Sequence, residues 1–277
     1  MSTLTFATLN TWGTRGDWPS RLSALRDGFA ALEADVLTLQ ETVLTANLDQ
    51  ATLMLGDGYY LAQQTERESG DRAVPAGQGI TTASRWPIGD VMEVDLHVTD
   101  RTGEFGCACL VTEILAPDPI GRVWVANHFP DYQLDPEVER CLQAVRVSDL
   151  LEECVADRPG HVIVAGDMDA DSASDSMRFW TGRHVIDRRS VCYRSAWDAI
   201  HPGEPVETYC PDNPFQVDPD WPFRGIDHVL VRCSRSGPTL LARRCRRIFD
   251  LDTTTASDHY GLVVSYEVAA STDAIPH

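Results

Sequence analysis

The chain contains no lysine: all 23 basic residues among its 277 are arginines. That absence removes the Walker A loop, the Schiff-base enzymes and the Ser–Lys hydrolases together, because each needs a lysine amine. No serine stands in a Gly-x-Ser-x-Gly elbow, so serine-nucleophile chemistry of that kind is excluded as well. None of the eight cysteines forms a Cys-x-x-Cys pair, and the clustered Cys/His spacing of a zinc site is missing. A chain this long buries enough surface to need no staples, so the thiols read as reduced, as in a cytosolic protein. No apolar run approaches the ~18 residues that cross a bilayer. Met1 to Asn10 has neither a basic leader nor a small-residue cleavage site, so a cytoplasmic chain without signal peptide or transmembrane segment is expected. Positive charge is scarce: 42 acidic residues against 23 basic ones leave a net charge of −19. This balance disfavours general polyanion binding, but metal ions and local arginines at one site leave a nuclease open.

What is present is a globular composition, 43 % hydrophobic and 23 % charged, which excludes collagen-like and wholly disordered chains. A strand over Leu4–Asn10 leads to an amphipathic helix over Ser20–Leu32, whose Leu22, Leu25, Phe29 and Leu32 recur at helical spacing. Val36 to Gln40 reads as a buried strand, Asp49 to Leu55 as a short helix, and Glu66 to Gly79 as a loop. Strands follow at Gly79–Ser84 and Val91–Val98, then a hairpin of Phe105–Leu115 and Arg122–Asn127 around Asp118-Pro119-Ile120-Gly121. Pro136 to Val155 is a long helix and His161 to Ala165 an apolar strand. Cys192 to Arg224, rich in Pro and aromatics, reads as one long ordered loop before strands at Ile226–Val231, Thr239–Arg246 and Gly261–Val268. Strands outnumber helices and mostly do not alternate with them, which favours an α/β sandwich over a doubly wound sheet. A single domain over residues 1–268 is expected, with a frayed tail at 269–277.

Polar residues recur where buried strands begin or end. The contexts are Leu9-Asn10-Thr11-Trp12, Leu39-Gln40-Glu41-Thr42, Asn127-His128-Phe129, Gly166-Asp167-Met168-Asp169, Ile226-Asp227-His228 and Ser257-Asp258-His259. One such residue is ordinarily a turn or cap; six contexts from residue 10 to residue 259 imply convergence at one end of a sheet. Glu41 and Asp258 with Asn10 supply hard oxygen ligands, which suit Mg²⁺ or Mn²⁺ and not Zn²⁺. His259 is a candidate general base, oriented by a carboxylate such as Asp227. Metal-assisted attack by water is the economical chemistry. Neighbours on a strand face opposite ways, so Asp227 and His228 should not both reach the site, and His228 reads as a buried or rim histidine. Cys107 and Cys109 share one strand face and read as core.

Taken in order with Thr8-Leu9-Asn10 and Ser84-Arg85-Trp86-Pro87-Ile88, these motifs resemble the endonuclease/exonuclease/phosphatase superfamily of metal-dependent phosphoesterases, over about residues 3–268. The resemblance implies an α/β fold, a four-layer αββα sandwich of two mostly antiparallel sheets flanked by helices, with the site at one rim. It implies Glu41 as principal metal ligand, with Asn10 and Asp258 near the same ion. It implies that Asp167 positions or activates water, that His259 paired with Asp227 is an acid/base group or phosphate binder, and that His128 holds a phosphate oxygen. Relatives usually read Gly-Asp-x-Asn where this chain has Asp169. An ionised Asp cannot donate to a phosphate oxygen and repels it. Asp169 therefore ligates a second metal, is protonated, or marks an impaired enzyme; the second-metal reading is the working one.

Substrate choice belongs to loops. Cys192–Arg224 carries Tyr193, Trp197, Tyr209, Phe215, Trp221 and Phe223, fit to stack a base, cover a lipid or simply pack on one another. Arg224, just before Asp227, is placed to bind a phosphate. Arg232 to Arg247 holds six arginines and no acid, which reads as a backbone-tracking patch or as the guard of an edge strand. The net charge favours a small or lipid-like phosphoester as substrate. A nuclease acting on DNA or RNA is the alternative, and a non-catalytic binding protein on the same fold is the third reading.

Overall fold

The computed structural model describes residues 3–70, 74–104, 106–216 and 220–269. Two seven-stranded sheets face each other. The first takes β1 (Thr3–Asn10), β2 (Val36–Thr45), β3 (Leu48–Asp49), β4 (Tyr60–Gln63) and β5 (Gln78–Ser84) from early in the chain. It is completed by β13 (Leu240–Ile248) and β14 (Gly261–Val268), in the order β13-β14-β1-β2-β5-β4 with β3 beside β2. The second holds β6 (Ile88–Asp95), β7 (Ala108–Leu115), β8 (Arg122–Phe129), β9 (His161–Asp167), β10 (Tyr193–Ser195), β11 (Asp227–Ser234) and β12 (Gly237–Pro238). Its order is β10-β11-β9-β8-β7-β6, with β12 beside β11. The β1–β2 and β8–β9 pairs are parallel, and the others are antiparallel.

Side-chain alternation along the strands builds the layers. On β1, Leu4 and Phe6 point between the sheets, where they meet Val125, Ile163 and Val229 of the second sheet. Ala7 and Leu9 point outward onto helix α1 (Trp18–Leu32), through Leu25 and Phe29. On the second sheet, Trp124, Ala126, Val162 and Val164 point outward onto Ala144, Val147 and Leu151 of α3 (Glu137–Asp157). The result is helix, sheet, sheet, helix. Short helices α2 (Gln50–Leu55) and α4 (Asp175–Trp180) extend the two outer layers, and α5 (Ala196–Ile200) plugs one end of the inter-sheet core through Ala196. Polar groups also bridge the sheets: Gln40 Nε2 donates to Asn127 Oδ1 at 2.7 Å, and Asn127 Nδ2 donates to the carbonyls of Leu39 and Thr81. These bonds tie one sheet's register to the other, although Gln40 Oε1 is buried with no partner.

The expected helices appear with small boundary changes. α1 begins two residues earlier than its hydrophobic period, because Asp17 caps it by accepting from Ser20 N and Ser20 Oγ. Two expectations are corrected. The segment after Cys192 is not one loop, since β10 and α5 lie inside it. The strand expected at Val91–Val98 starts earlier, at Ile88, and ends at Asp95. Of the expected tail, all but Ala269 lies outside the described residues, as does Phe105. Cys107 and Cys109 are buried core residues. The arginine-rich strand β13 forms one edge of the first sheet. Arg243 pairs with Glu267 at 2.8 Å, and Arg232 of the same run holds Glu152 through two contacts of 2.7 and 2.6 Å, so these two of the six arginines are already paired.

Candidate active site

A cavity of about 650 Å³ opens at the rim of the sandwich, where β1 and β9 end, β11 begins and β2 bulges. One side carries Asn10, Glu41, Asp167, Asp169, Asp258 and His259. Aromatic rings of Phe129, Tyr132, Tyr209 and Trp221 also line it. Strand parity explains most of the polar side. Asn10 continues the inward face of Leu4 and Phe6, Asp167 that of Ile163 and Ala165, and Asp227 that of Val229 and Val231.

Glu41 does not follow parity. Gln40 faces inward to Asn127, so a regular strand would turn Glu41 toward the helices. The β2–β5 register slips between Leu39 and Thr42, and Glu41 sits at φ +57°. This bulge re-aims the carboxylate into the cavity. Trp12 and Asp169 also lie in the left-handed region, at φ +56° and +49°. Left-handed backbone at non-glycine residues costs of order 1–3 kcal/mol each and concentrates at functional sites. Gly166, just before Asp167, has φ +146°, and a Cβ there would stand 2.4 Å from the His128 carbonyl oxygen. Only glycine lets β9 approach β8 so closely at this point.

The polar side is one connected network. Asn10 Nδ2 donates to Asp167 Oδ2 at 3.0 Å and to Glu41 Oε1 at 3.3 Å, while Asn10 Oδ1 accepts from Trp12 N. His259 Nδ1 lies 3.0 Å from Asp227 Oδ2, and its Nε2 lies 3.7 Å from Asp167 Oδ2. A carboxylate can only accept, so Nδ1 carries the proton and donates. Asp227 is held from behind by Thr208, whose Oγ1 accepts from the Asp227 backbone N–H at 3.1 Å. Ser257 Oγ donates to the Asn10 carbonyl at 2.6 Å, tying the end of β1 to the segment that carries Asp258 and His259.

Burial and crowding set the electrostatics. Asp167 is pushed up to about 7 by burial and by Asp227, against the pull of His259. Asp258 rises to about 6, through burial and Glu41, again opposed by His259. Asp169 is held well above the usual carboxylate range by burial and by Asp167, and its Oδ2 is buried with no partner. Burial disfavours the imidazolium of His259, but Asp227, Asp167 and Asp258 outweigh it and raise its proton affinity well above the ordinary value. So many carboxyl groups in one rim site, with an orphaned oxygen, are a donor set that a divalent cation would satisfy. Among the described residues, the tightest group of possible metal ligands is Asp167, Asp227 and His259, whose ligand atoms lie within 4.8 Å of one another. In that group His259 Nδ1 is already bonded to Asp227. Glu41 Oε2 meets Arg15 at 2.7 Å.

The remaining expected residues fall elsewhere. His128 does not line the cavity. Parity on β8 turns it away from the sheet interface, onto Trp180, with ring centroids 5.9 Å apart. It is buried and neutral, pushed down to about 3 by that burial. The phosphate-holding role expected for it is therefore corrected. His228 also faces the outer layer, its Nε2 2.8 Å from the Ala170 carbonyl, as alternation predicts. Arg224 lies outside the lining, its backbone paired with that of Tyr209, but its charge reaches Asp169 and lowers that group's proton affinity.

Two contributors, Arg15 and Arg21, escaped the sequence reading, and a third was legible only as one aromatic of the long loop. Arg15 donates to both Glu41 and Gln78. Its signal was its place five residues after Asn10, across the Gly13 turn. Tyr209, one aromatic among many, packs its ring 4.7 Å from that of His259. Buried Arg21 donates to the carbonyls of Thr11, Gly13, Arg15 and Ala256, joining the two segments that supply Asn10 and Asp258. No local pattern marks such a role.

The chain is similar in structure to several solved proteins. TDP2 from D. rerio, solved with a single-stranded DNA product, is 17 % identical with a TM-score of 0.73, covering 97 % of this chain and 100 % of that one. The catalytic domain of human Nocturnin, solved with a sulfate anion, is 16 % identical with a TM-score of 0.72, covering 96 % and 95 %. An endonuclease/exonuclease/phosphatase from Bacteroides vulgatus is 16 % identical with a TM-score of 0.72, covering 97 % and 100 %. At these identities the likeness speaks for the fold. No curated protein sequence is significantly similar to the chain. Among the described residues, no helix is long and apolar enough to cross a membrane. Residues 7–259 match the Endonuclease/Exonuclease/phosphatase family, and with that span the chain belongs to it.

Proposed function

We propose that the protein is a divalent-metal-dependent phosphoester hydrolase, a phosphodiesterase or phosphatase, with Mg²⁺ as its ion and Mn²⁺ as a substitute. The observation that carries this reading is the convergence of Asn10, Glu41, Asp167 and Asp258 with the Asp227–His259 pair in one cavity. Glu41, Asn10 and Asp258 would hold the ion, and Asp169 a second one. The ion supplies Lewis-acid stabilisation of the charge that develops on phosphate oxygens.

The chain's own groups do the rest. Asn10 orients Asp167 and Glu41 through its amide. Asp167 is placed to position or accept a proton from the attacking water, and Nε2 of His259 faces the same space. Asp227 fixes the His259 tautomer and stabilises its imidazolium. The aromatic wall would shield the site from bulk water and accommodate the organic part of the ester. Arg224 would offer its guanidinium to a phosphate oxygen.

A nuclease acting on DNA or RNA is the second reading. Tyr209 and Trp221 on the cavity wall favour it, as surfaces on which bases stack, as does the DNA product held by the similar TDP2. The test is hydrolysis of bis-p-nitrophenyl phosphate, p-nitrophenyl phosphate and single-stranded DNA with Mg²⁺, Mn²⁺ or EDTA, beside Glu41→Ala. Turnover that needs the metal and is lost in Glu41→Ala supports the hydrolase, and the preferred substrate selects the subclass. Turnover retained in EDTA or in Glu41→Ala would sink the metal site. No turnover on any substrate would favour a binding protein on this fold.

A further inference from the structure

We propose that Cys192 and Cys233 form a reversible oxidation site that a peroxide converts to an intramolecular disulfide. Cys192 is the exposed thiol of the chain's eight, and Cys233 is half-buried. They stand opposite each other where β10 joins β11. Tyr193 pairs with Arg232, and one step beyond, Cys233 N donates to the Cys192 carbonyl at 2.8 Å. Residues facing across such an antiparallel pair have Cα atoms about 5.5 Å apart, inside the range a disulfide spans. The Cys192 side chain lies near enough to Cys233 to raise that thiol's proton affinity. The Cys192 side chain lies over Gly182, where a Cβ would stand 3.3 Å from its Sγ, so no side chain there covers the sulfur.

The surroundings assign an order of events. Arg194 and Arg232 lie within electrostatic range of Cys233 and favour its thiolate, but burial and the neighbouring Cys192 dominate and push Cys233 up to about 11. The exposed Cys192 therefore reacts first. Its thiolate attacks one peroxide oxygen and forms a sulfenic acid as the O–O bond breaks and water leaves. The Cys233 sulfur then attacks the Cys192 sulfur, the S–O bond breaks, and the hydroxyl leaves as a second water. Overall, two thiols and one hydrogen peroxide give one disulfide and two waters. The five buried cysteines, Cys107, Cys109, Cys154, Cys210 and Cys245, and the half-buried Cys141 are not set against a partner in this way.

The bond would close a loop around the 40 residues between the two cysteines, the stretch that carries Tyr209, Trp221, Arg224 and Asp227. The site is independent of the proposed hydrolase reading. The test treats the reduced, full-length protein with equimolar hydrogen peroxide at neutral pH, blocks free thiols and maps peptides without reduction. A Cys192–Cys233 cross-link, two hydrogens lighter and reversed by dithiothreitol, is expected. Cys233→Ser should instead leave Cys192 as a dimedone-reactive sulfenic acid, and Cys192→Ser should leave Cys233 largely unoxidised. The cross-linked wild type should melt roughly 5–10 °C above its reduced form. A Cys192 sulfenic acid that persists in the folded wild type, or a link formed only after unfolding, would overturn the proposal. A cross-linked protein with an unchanged melting point would overturn the stabilisation expected from closing the loop.

Discussion

His259 Nδ1 donates to Asp227 Oδ2 across 3.0 Å, and both side chains are buried. The bond sets the imidazole's tautomer and leaves Nε2 toward Asp167 and the cavity. Asp227→Asn keeps the shape but offers an amide that can donate to Nδ1, which favours the wrong tautomer. We expect Asp227→Asn and His259→Ala each to lower kcat by about 10²–10⁴-fold. The double variant should fall little further than the worse single one, because the two residues act as a unit. Steady-state kinetics on the preferred phosphoester checks this, and a fully additive loss would mean the pair is structural.

Asp169 and Asp167 are buried carboxyl groups two residues apart, and Asp167 Oδ1 accepts from Asp169 N at 3.2 Å. Burial and the Asp167 charge hold Asp169 above its unfolded value of 3.8. The folded chain thus binds a proton more readily than the unfolded one, so stability falls as pH rises through that window. Asp169→Asn removes this cost. In EDTA the variant should exceed the wild type by about 1–2 kcal/mol at pH 8, with a smaller gap at pH 5. Urea unfolding at both pH values measures it. Calorimetric titration with Mn²⁺ should then find one fewer ion per chain if Asp169 holds the second metal, and an equal count would remove that role.

How much of this was legible beforehand depended on whether the signal was local. Leu22, Leu25, Phe29 and Leu32 announced α1 by period, and the apolar run ending at Asp167 announced β9. Strand alternation also told that Asp227 and His228 would not both face the site. The bulge that turns Glu41 inward leaves no such trace, since it exists only in the register between β2 and β5. His128 misled for a related reason: it sits in the expected motif, but strand parity places its neighbour Asn127 between the sheets instead. β10, three residues long, is too short to show a period. Arg15 and Arg21 acquire their roles only when the fold brings a carboxylate to the first and carbonyls to the second.

Arg21 tests whether the site's two halves are held together from behind. It is buried, donates 2.8 Å to Ala256 O and 2.7 Å to Arg15 O, and stacks over Trp12 at 4.8 Å. Arg21→Met should cost about 2–4 kcal/mol, because buried carbonyls lose charge-assisted partners. Arg21→Lys keeps the charge but not the fork, so it should recover only part of the loss. Urea unfolding gives the stability. A loss below about 0.5 kcal/mol for Arg21→Met would show that the two segments are positioned by Ser257 and packing alone.

His128 gives the last expectation, one that bears on acid stability and not on catalysis. Burial pushes it down to about 3 in the folded protein, from an ordinary value of 6.5, and its Nδ1 is buried without a partner. Between those two pH values the unfolded chain binds a proton that the folded one refuses, so stability falls as pH drops below 6.5. The slope contributed by this one group is at most about 1.4 kcal/mol per pH unit. His128→Leu, close in volume and unable to titrate, removes that contribution. His161 and His228, also depressed by burial, act equally in both proteins and cancel in the comparison. Chemical unfolding at pH 7 and pH 5 should show the variant gaining about 1–2 kcal/mol on the wild type over that interval. The same variant should keep its metal-dependent turnover at neutral pH, because the ring does not reach the cavity; a large loss there would return His128 to the phosphate site.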